Sequence, residues 1–468
     1  MTSILLSLIS LSALMAFSNR CGITGIPDGS PQPTRFLIPE EYHEDLDFFI
    51  RRTEVLEPID DDGSFTGKLS VKNIFLHNNN WERYLHNNLK EIPSYQQEAI
   101  ADMLQCGDTY RSSAMFGCSC GNIIVIPYTC KGRCCSRCGQ TFTRSWSERF
   151  VGRLLRVNHR HFIFTLPDML WDLVKNDTTW QLHKAMMQAA ARSMQKMFDH
   201  KFQSVKKVVP GMVVFFHPTG RDLKFNPHVH MIITEGGLDR STYGGKGSWR
   251  RHEFWKYGLL CEIWQHEVIQ AFRDVLKSEL VTSYKSRLLL DHAEKYRFKN
   301  GKPGFVVKDW TDRKTGKVIK IEPGVFQTIG AYLARYVRHP PIGERRLIGF
   351  DGEKVKIKYE WDNELHETEV DLDTFIRAIL HNIAPKGFQM CRYYGIYANS
   401  VQKDVRWRLK GLGMKFGAPG KSGRQKRLVK NPICKVCGSE MTLLYMVHET
   451  RKGAVKRYGE LAWYLTMS

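Results

Sequence analysis

The sequence is short of acidic residues: 48 Asp and Glu stand against 69 Lys and Arg in 468 residues, a formal net charge of +21 with histidine neutral. That shortage excludes a charge-balanced surface and points to a polyanionic partner. Nucleic acid comes before anionic membrane, because counterion release favours phosphate binding whatever the sequence. Internal repeats and low-complexity tracts are missing too. With 42% hydrophobic and 12% aromatic residues, the chain can bury real cores, which excludes general disorder and puts the excess charge on folded surface. Long apolar runs are scarce. The charge-free stretch Met1 to Asn19 holds one from Ile4 to Phe17, but it is serine-broken, too short for a membrane span, and lacks the basic start of a secretory leader. It reads as an upstream extension or a loosely docked helix. Cysteine is sparse outside one cluster: seven of the twelve fall between Cys106 and Cys138. That distribution excludes a disulfide scaffold and implies metal binding in a reducing compartment, hence a cytoplasmic, nucleoid-associated protein.

Hydrophobic periodicity divides the chain. Trp81 to Leu89, Tyr95 to Leu104 and Ser145 to Val157 have helical spacing, whereas the cysteine cluster reads as loop. His161 to Leu166 is strand-like and ends at Pro167; Leu170 to Phe198 reads as one helix with the charge-poor middle Met186 to Ala191. Met212 to His217 and Leu223 to Thr234 form an expected hairpin about the turn Pro218 to Asp222. Helices are expected at His252 to Leu280 and Val325 to Arg338, and a basic hairpin at Lys299 to Lys320. Strands follow at Leu347 to Tyr359 and Leu365 to Leu372, then a helix to Asn382. The fold class is α+β. Expected boundaries are a leader-like N-terminus (1–35), a helical and zinc-binding domain (36–145), a catalytic domain (146–400) and a basic tail (401–468).

Thiolate pairs separated by a short loop let two tight turns aim four sulfurs at one tetrahedral ion, and Zn²⁺ then stabilises a unit with too little core to fold alone. The expected ligands are Cys118, Cys120, Cys135 and Cys138, with Cys130 in reserve and Cys134 a bystander. Lys131, Arg133, Arg137 and Arg144 suggest a phosphate-facing surface around them. The distant pair Cys434 and Cys437 is open between a degenerate zinc ribbon and no role.

His228 and His230 are two apart on an expected strand, so both rings project from one face. His217 ends the partner strand, roughly opposite His228, as a third ligand; Asp222 or Asn226 could replace it. Such a set, with open positions left, suits Mg²⁺ or Mn²⁺ that must also hold a phosphate oxygen. Further on, Tyr332 and Tyr336 stand one helical turn apart with Arg335 and Arg338 nearby. A phenol beside a metal-polarised phosphodiester can act as nucleophile. By itself that pair would be an ordinary aromatic stripe.

Taken in order, these constellations resemble the HUH (His, hydrophobic, His) transposases of rolling-circle insertion sequences, the two-tyrosine IS-ninety-one family. The likeness runs from Trp81 to Asn399: the cysteine cluster, HFIFTLP at His161 to Pro167, F-x-P-H-V-H at Phe225 to His230 and YLARY at Tyr332 to Tyr336. PKGF at Pro385 to Phe388 and RYYGIYAN at Arg392 to Asn399 complete it. The resemblance implies an HUH core, an antiparallel sheet flanked by helices, behind a small zinc-binding domain. It implies a metal-dependent endonuclease and strand transferase that nicks single-stranded DNA at an element's end through a 5′-phosphotyrosine. His228 and His230 would bind the ion, and Tyr332 and Tyr336 would be the nucleophiles; chemistry assigns Arg335 and Arg338 to the scissile phosphate. The first thiol pair departs from the family, Cys-x-Cys in place of Cys-x-x-Cys. Tyr393, Tyr394 and Tyr397 read as packing or stacking residues.

Lys403 to Lys430 holds ten Lys and Arg, including Arg406 and Arg408, against one Asp, interleaved with Trp407 and Phe416. Basic residues with aromatics between them suit single-strand binding. Expected partners are single- and double-stranded DNA at element ends and target, with no small-molecule cofactor and no membrane; separated end cleavage is compatible with a dimer. The same nicking chemistry would serve a plasmid or phage replication initiator, and a zinc-dependent DNA-binding protein without nuclease activity is the non-enzymatic alternative.

Overall fold

The computed structural model describes residues 69–108, 112–203, 208–240, 247–278, 284–295, 304–309, 311, 317–318, 320–326, 342–361, 364–417, 431–449 and 455–458, all within the unit Leu56–Ser468. Outside the described residues lie Met1 to Asn19, Tyr332, Arg335, Tyr336 and Arg338.

The chain opens with α1 (Val71–Leu76), α2 (Asn80–Asn88) and α3 (Ser94–Leu104), then a hairpin of β1 (Ser112–Gly117) and β2 (Ile123–Pro127). Helix α4 (Ser136–Val151) follows, then β3 (His159–Thr165), α5 (Trp171–Lys175) and α6 (Gln181–Lys201). A long hairpin of β4 (Val208–Thr219) and β5 (Phe225–Asp239) leads through β6 (Ser248–Arg250) to α7 (Tyr257–Ser278), α8 (Tyr284–Lys295) and β7 (Val306–Asp309). Next come β8 (Leu347–Phe350), β9 (Lys354–Trp361), β10 (Glu364–Asp371) and α9 (Leu372–His381). The described chain closes with β11 (Cys391–Gly395), α10 (Gln402–Gly411), β12 (Thr442–Glu449) and β13 (Val455–Tyr458). The fold is α+β, and its named strand pairs are antiparallel.

The largest sheet runs β11-β4-β5-β3-β7, with β6 beside β5. Alternation along its strands gives two apolar faces. Phe162, Phe164, Val214, Phe216, Val229 and Met231 face α6 and α7, where Met186, Met194, Trp264 and Phe272 are fully buried. Each such side chain contributes roughly 2–3 kcal/mol by leaving water. On the other face Val213, Phe215 and Ile232 lie under α4 and α10, represented by Phe150, Val151, Val405 and Leu409. A sheet covered on both faces holds its strands rigidly, and β5 sits in its middle.

The helix expected at Leu170 to Phe198 is broken. Asp177 accepts from the Leu182 N–H at 2.6 Å and the Thr179 N–H at 3.0 Å, and Trp180 takes a left-handed conformation. This side-chain cap satisfies N–H groups that a continuous helix would have bonded internally. Leu347 to Tyr359 likewise splits at a turn into β8 and β9.

Packing crosses two of the expected boundaries. Helices α1–α3 bury Ile74, Phe75, Trp81, Tyr84 and Ile100 against Val355, Ile357, Phe375, Ile379 and Leu380 of residues 342–383, and Gln96 Nε2 donates to the Leu380 carbonyl at 3.1 Å. Short helices with one apolar stripe need an outside partner, and β8–β9 with α9 supply it, so these residues share one core across the expected boundary at 145. Of the residues after Asn399, described ones join the fold: α10 packs on the main sheet, and β12 and β13 join β1 and β2 in a second sheet of order β13-β12-β1-β2. Among the described residues no helix is long and apolar enough to cross a membrane.

Candidate active site and metal centres

The β4–β5 register sets His217 directly opposite His228 and Phe215 opposite His230. The period of two then puts all three imidazoles on one face, at the end of the sheet where the hairpin turns. Their rings are 4.6–5.2 Å apart between centroids, and one nitrogen from each lies within 4.8 Å of the other two. Ligand atoms sharing an ion at roughly 2.1 Å lie about 3–4.3 Å apart, so small ring rotations bring the trio onto one ion.

Hydrogen bonds decide which nitrogen of each ring could take an ion. His228 Nδ1 lies 2.6 Å from the Asn226 carbonyl; as donor there it leaves Nε2 with its lone pair. His230 Nδ1 lies 2.7 Å from His161 Nε2, and both residues are buried. The tautomer that donates from His230 would again present Nε2 to an ion, the usual arrangement behind a metal-bound imidazole. Burial pushes the His228, His230 and His161 pKa values down, with help from Lys308 at His228, from the neighbouring imidazoles at His230, and from His228 at His161. Neutral imidazole is the form a metal needs.

His161 has no role in the sequence reading, although it stands inside HFIFTLP. The signal was the alternation of β3: His159, His161 and Ile163 pair with Thr234, Ile232 and His230 and so share the histidine face. Lys308, exposed, pairs with Ile163 and stands at the edge of the same row. Asp222 and Asn226 lie beside the turn; the Asp222 carboxylate accepts from the Lys224 N–H at 3.2 Å, and Asn226 reaches His228 through its backbone carbonyl.

Helix α4 covers this face. Trp146 and Phe150 meet Phe215 edge-on at 6.1 and 6.2 Å, and Phe215 is the cross-strand neighbour of His230. Tyr397 is buried: its hydroxyl accepts from the Leu155 N–H at 3.0 Å and lies 2.7 Å from His159 Nε2. It packs this face with Phe215 and Ile232, and that burial raises its pKa. Tyr393 lies under the Arg153 guanidinium at 4.1 Å, and burial pushes Tyr394 up to about 12.

The cysteines form two quartets among the described residues, which corrects the single site expected from sequence. Cys135 and Cys138 join Cys106 and Cys130, with Sγ atoms 3.6 Å apart in three of the pairs. Four sulfurs about 2.3 Å from one Zn²⁺ lie about 3.8 Å apart, so this quartet fits the ion. Cys118 and Cys120 lie instead with Cys434 and Cys437. The cause is topological: the β1–β2 turn carries Cys118 and Cys120 to the end of the second sheet, while Cys135 caps α4 and Cys138 lies in its first turn. Thiolates at a helix N-terminus are favoured there. Thiol contacts with Cys130, then Cys135, pull the Cys106 pKa down, and the same contacts with Cys106 push those of Cys130 and Cys135 up. Cys134 Sγ lies 3.7 Å from the Ala99 carbonyl, and burial pushes it up to about 12. The side chains of Arg137 and Arg144 lie outside the described ones.

On α10, Arg408 Nε meets Asp404 at 2.8 Å, and Arg406 lies over the Phe416 ring at 4.6 Å. Phe416 is thereby packed, whereas Trp407 is 62% exposed on the same helix.

Residues 211–404 match a family described as putative transposase, and residues 76–166 match the transposase zinc-binding domain. The transposase for insertion sequence element IS801 of Pseudomonas savastanoi pv. phaseolicola is 29% identical over 339 residues, 71% of this chain and 77% of that protein. The putative transposase y4qJ of Sinorhizobium fredii (strain NBRC 101917 / NGR234) is 24% identical over 328 residues, 66% and 75% of the two chains. No solved structure matches.

Proposed function

Because the chain belongs to the IS-ninety-one type of transposase with an N-terminal zinc-binding domain, we propose that its histidine-bearing sheet is the nicking centre of rolling-circle transposition. The observation that carries this reading is the convergence of His217, His228 and His230 on one face of one hairpin. They would hold a divalent ion, Mn²⁺ or Mg²⁺, which when bound neutralises charge on the scissile phosphate. Tyr332 and Tyr336 are the proposed nucleophiles. They follow Phe326, which is buried on the histidine face and meets the His159 ring edge-on at 5.4 Å.

In the reaction one phenol loses its proton and attacks phosphorus, and the bond to the 3′ oxygen breaks. The products are a 5′-phosphotyrosine and a free 3′-hydroxyl. The second tyrosine cleaves a second strand while the first stays covalently held; a 3′-hydroxyl then attacks the phosphotyrosine, rejoins the DNA and releases the phenol. Arg335 and Arg338 bind the phosphate, Arg406 and Arg408 contact the backbone, and exposed Trp407 offers a face for a base. Zinc in the quartet of Cys106, Cys130, Cys135 and Cys138 is structural: it anchors the start of α4, whose far end packs against Phe215.

Labelled single-stranded oligonucleotides from the element's ends, incubated with the full chain and Mn²⁺ or Mg²⁺, test this. A protein-linked 5′ product is expected, lost in His228→Ala and partly retained in Tyr332→Phe. If neither metal yields an adduct on those ends, the nicking mechanism is wrong.

A further inference from the structure

We propose that Cys118, Cys120, Cys434 and Cys437 bind a second zinc ion, which fastens the C-terminal strands to the β1–β2 hairpin. Neither matched stretch, 76–166 or 211–404, reaches the second of these pairs. The Sγ atoms of Cys118 and Cys437 are 3.3 Å apart and those of Cys120 and Cys434 are 3.7 Å apart, and all four lie within 4.8 Å of one another. These separations are far beyond the roughly 2.05 Å of a disulfide and close to the edge of about 3.8 Å expected for a ZnS₄ tetrahedron.

Backbone geometry supports the assignment independently of the sulfur distances. The Cys118 N–H donates to the Asn122 carbonyl and the Gly121 N–H returns to the Cys118 carbonyl, both at 2.9 Å. At the other pair the Cys434 N–H donates to the Ser439 carbonyl at 2.8 Å and the Gly438 N–H returns to the Cys434 carbonyl at 2.9 Å. Each turn ends on a glycine in the left-handed region, φ +89° at Gly121 and +78° at Gly438. The two turns follow the same plan, one residue shorter in Cys-x-Cys than in Cys-x-x-Cys. The shortened first pair is thus a tighter knuckle facing a normal one. The β1–β12 register, from Ser112 opposite His448 to Gly117 opposite Thr442, brings both knuckles to the same end of the sheet. Asn122 Nδ2 also donates to Cys434 Sγ at 3.3 Å, a contact that favours thiolate.

The sheet also needs such a fastening. Among the described side chains its buried cluster is Ala114, Phe116, Cys118, Cys434 and Met441, two of the five being the cysteines themselves. A core that small does not hold four strands in water, and a structural metal is the usual remedy. The ion joins parts of the chain more than 300 residues apart.

Native mass spectrometry of the full chain tests the proposal without using DNA cleavage, so its failure is separate from failure of the nicking reaction. Two zinc ions per chain are expected, one in the Cys434→Ser/Cys437→Ser double variant, and one in Cys106→Ser/Cys138→Ser. One ion in the unaltered chain, or two retained in the Cys434→Ser/Cys437→Ser variant, overturns it. Isotope-coded alkylation of the unaltered chain covers the case in which a variant does not fold. Cys118, Cys120, Cys434 and Cys437 should be protected together and become reactive together when a chelator is added. Free-thiol reactivity of Cys434 and Cys437 in the zinc-loaded chain overturns the proposal.

Discussion

The histidine trio and the second cysteine quartet are built by opposite means. His217, His228 and His230 come from one hairpin in the middle of a sheet covered on both faces, so the scaffold is complete before any ion arrives. Cys118, Cys120, Cys434 and Cys437 come from two short turns at the end of a sheet with little core, so there the ion is part of the scaffold. A metal site can therefore be a product of the fold or one of its causes, and the two respond differently to the same insult.

Removing a ligand from each gives the largest contrast. His230→Ala should lower oligonucleotide nicking by ~10³-fold or more while both zinc ions remain by mass. Cys437→Ser should lose one zinc and broaden thermal unfolding. If His230→Ala also releases zinc, the two regions are not separate. Acid gives the next contrast. His159 and His252 are held neutral at about 4, chiefly by burial. The unfolded chain takes up these protons first, so their stability is fully present above about 6.5 and is lost as pH falls towards 4. Each contributes on the order of 3 kcal/mol of that change. Urea unfolding between pH 7 and 4.5 should show a falling midpoint, and a flat profile would remove the buried-neutral reading.

His161→Ala should weaken Mn²⁺ activation of nicking by about 10–100-fold, seen as a shift of the metal titration rather than of DNA affinity. An unchanged titration would mean that the His161–His230 contact has no positioning role. Trp407→Ala should be the mildest change, weakening single-strand binding several-fold to ~100-fold with duplex binding less affected, measured by anisotropy at fixed salt. Equal losses for both would make Trp407 a packing residue.

The same contrast explains what could be read from residues alone. His-x-His on an alternating strand, with a partner histidine just across a Pro-Thr-Gly turn, is local information, and HFIFTL carries its strand period openly. The cysteine grouping depends on contacts between residues more than 300 apart, which no spacing rule contains. Six cysteines between Cys118 and Cys138 looked sufficient for one site, which hid the need of Cys118 and Cys120 for a distant pair. His161 was missed because a histidine in an apolar run looks like core until its neighbour across the strand is known. The break before α6 falls at the polar cluster Asn176 to Thr179, where Asp177 turns back on the next N–H groups. Helices α1–α3 show their apolar stripes plainly, but nothing local says that residues 342–383 cover them.

The most direct measurement is mass mapping of the covalent protein–oligonucleotide product after nuclease and protease digestion. A nucleotide joined through its 5′ phosphate to Tyr332 or Tyr336, absent from His228→Ala, is the predicted result. Cleavage of element ends with no adduct, or an adduct on another residue such as Tyr393 or Tyr394, would contradict it.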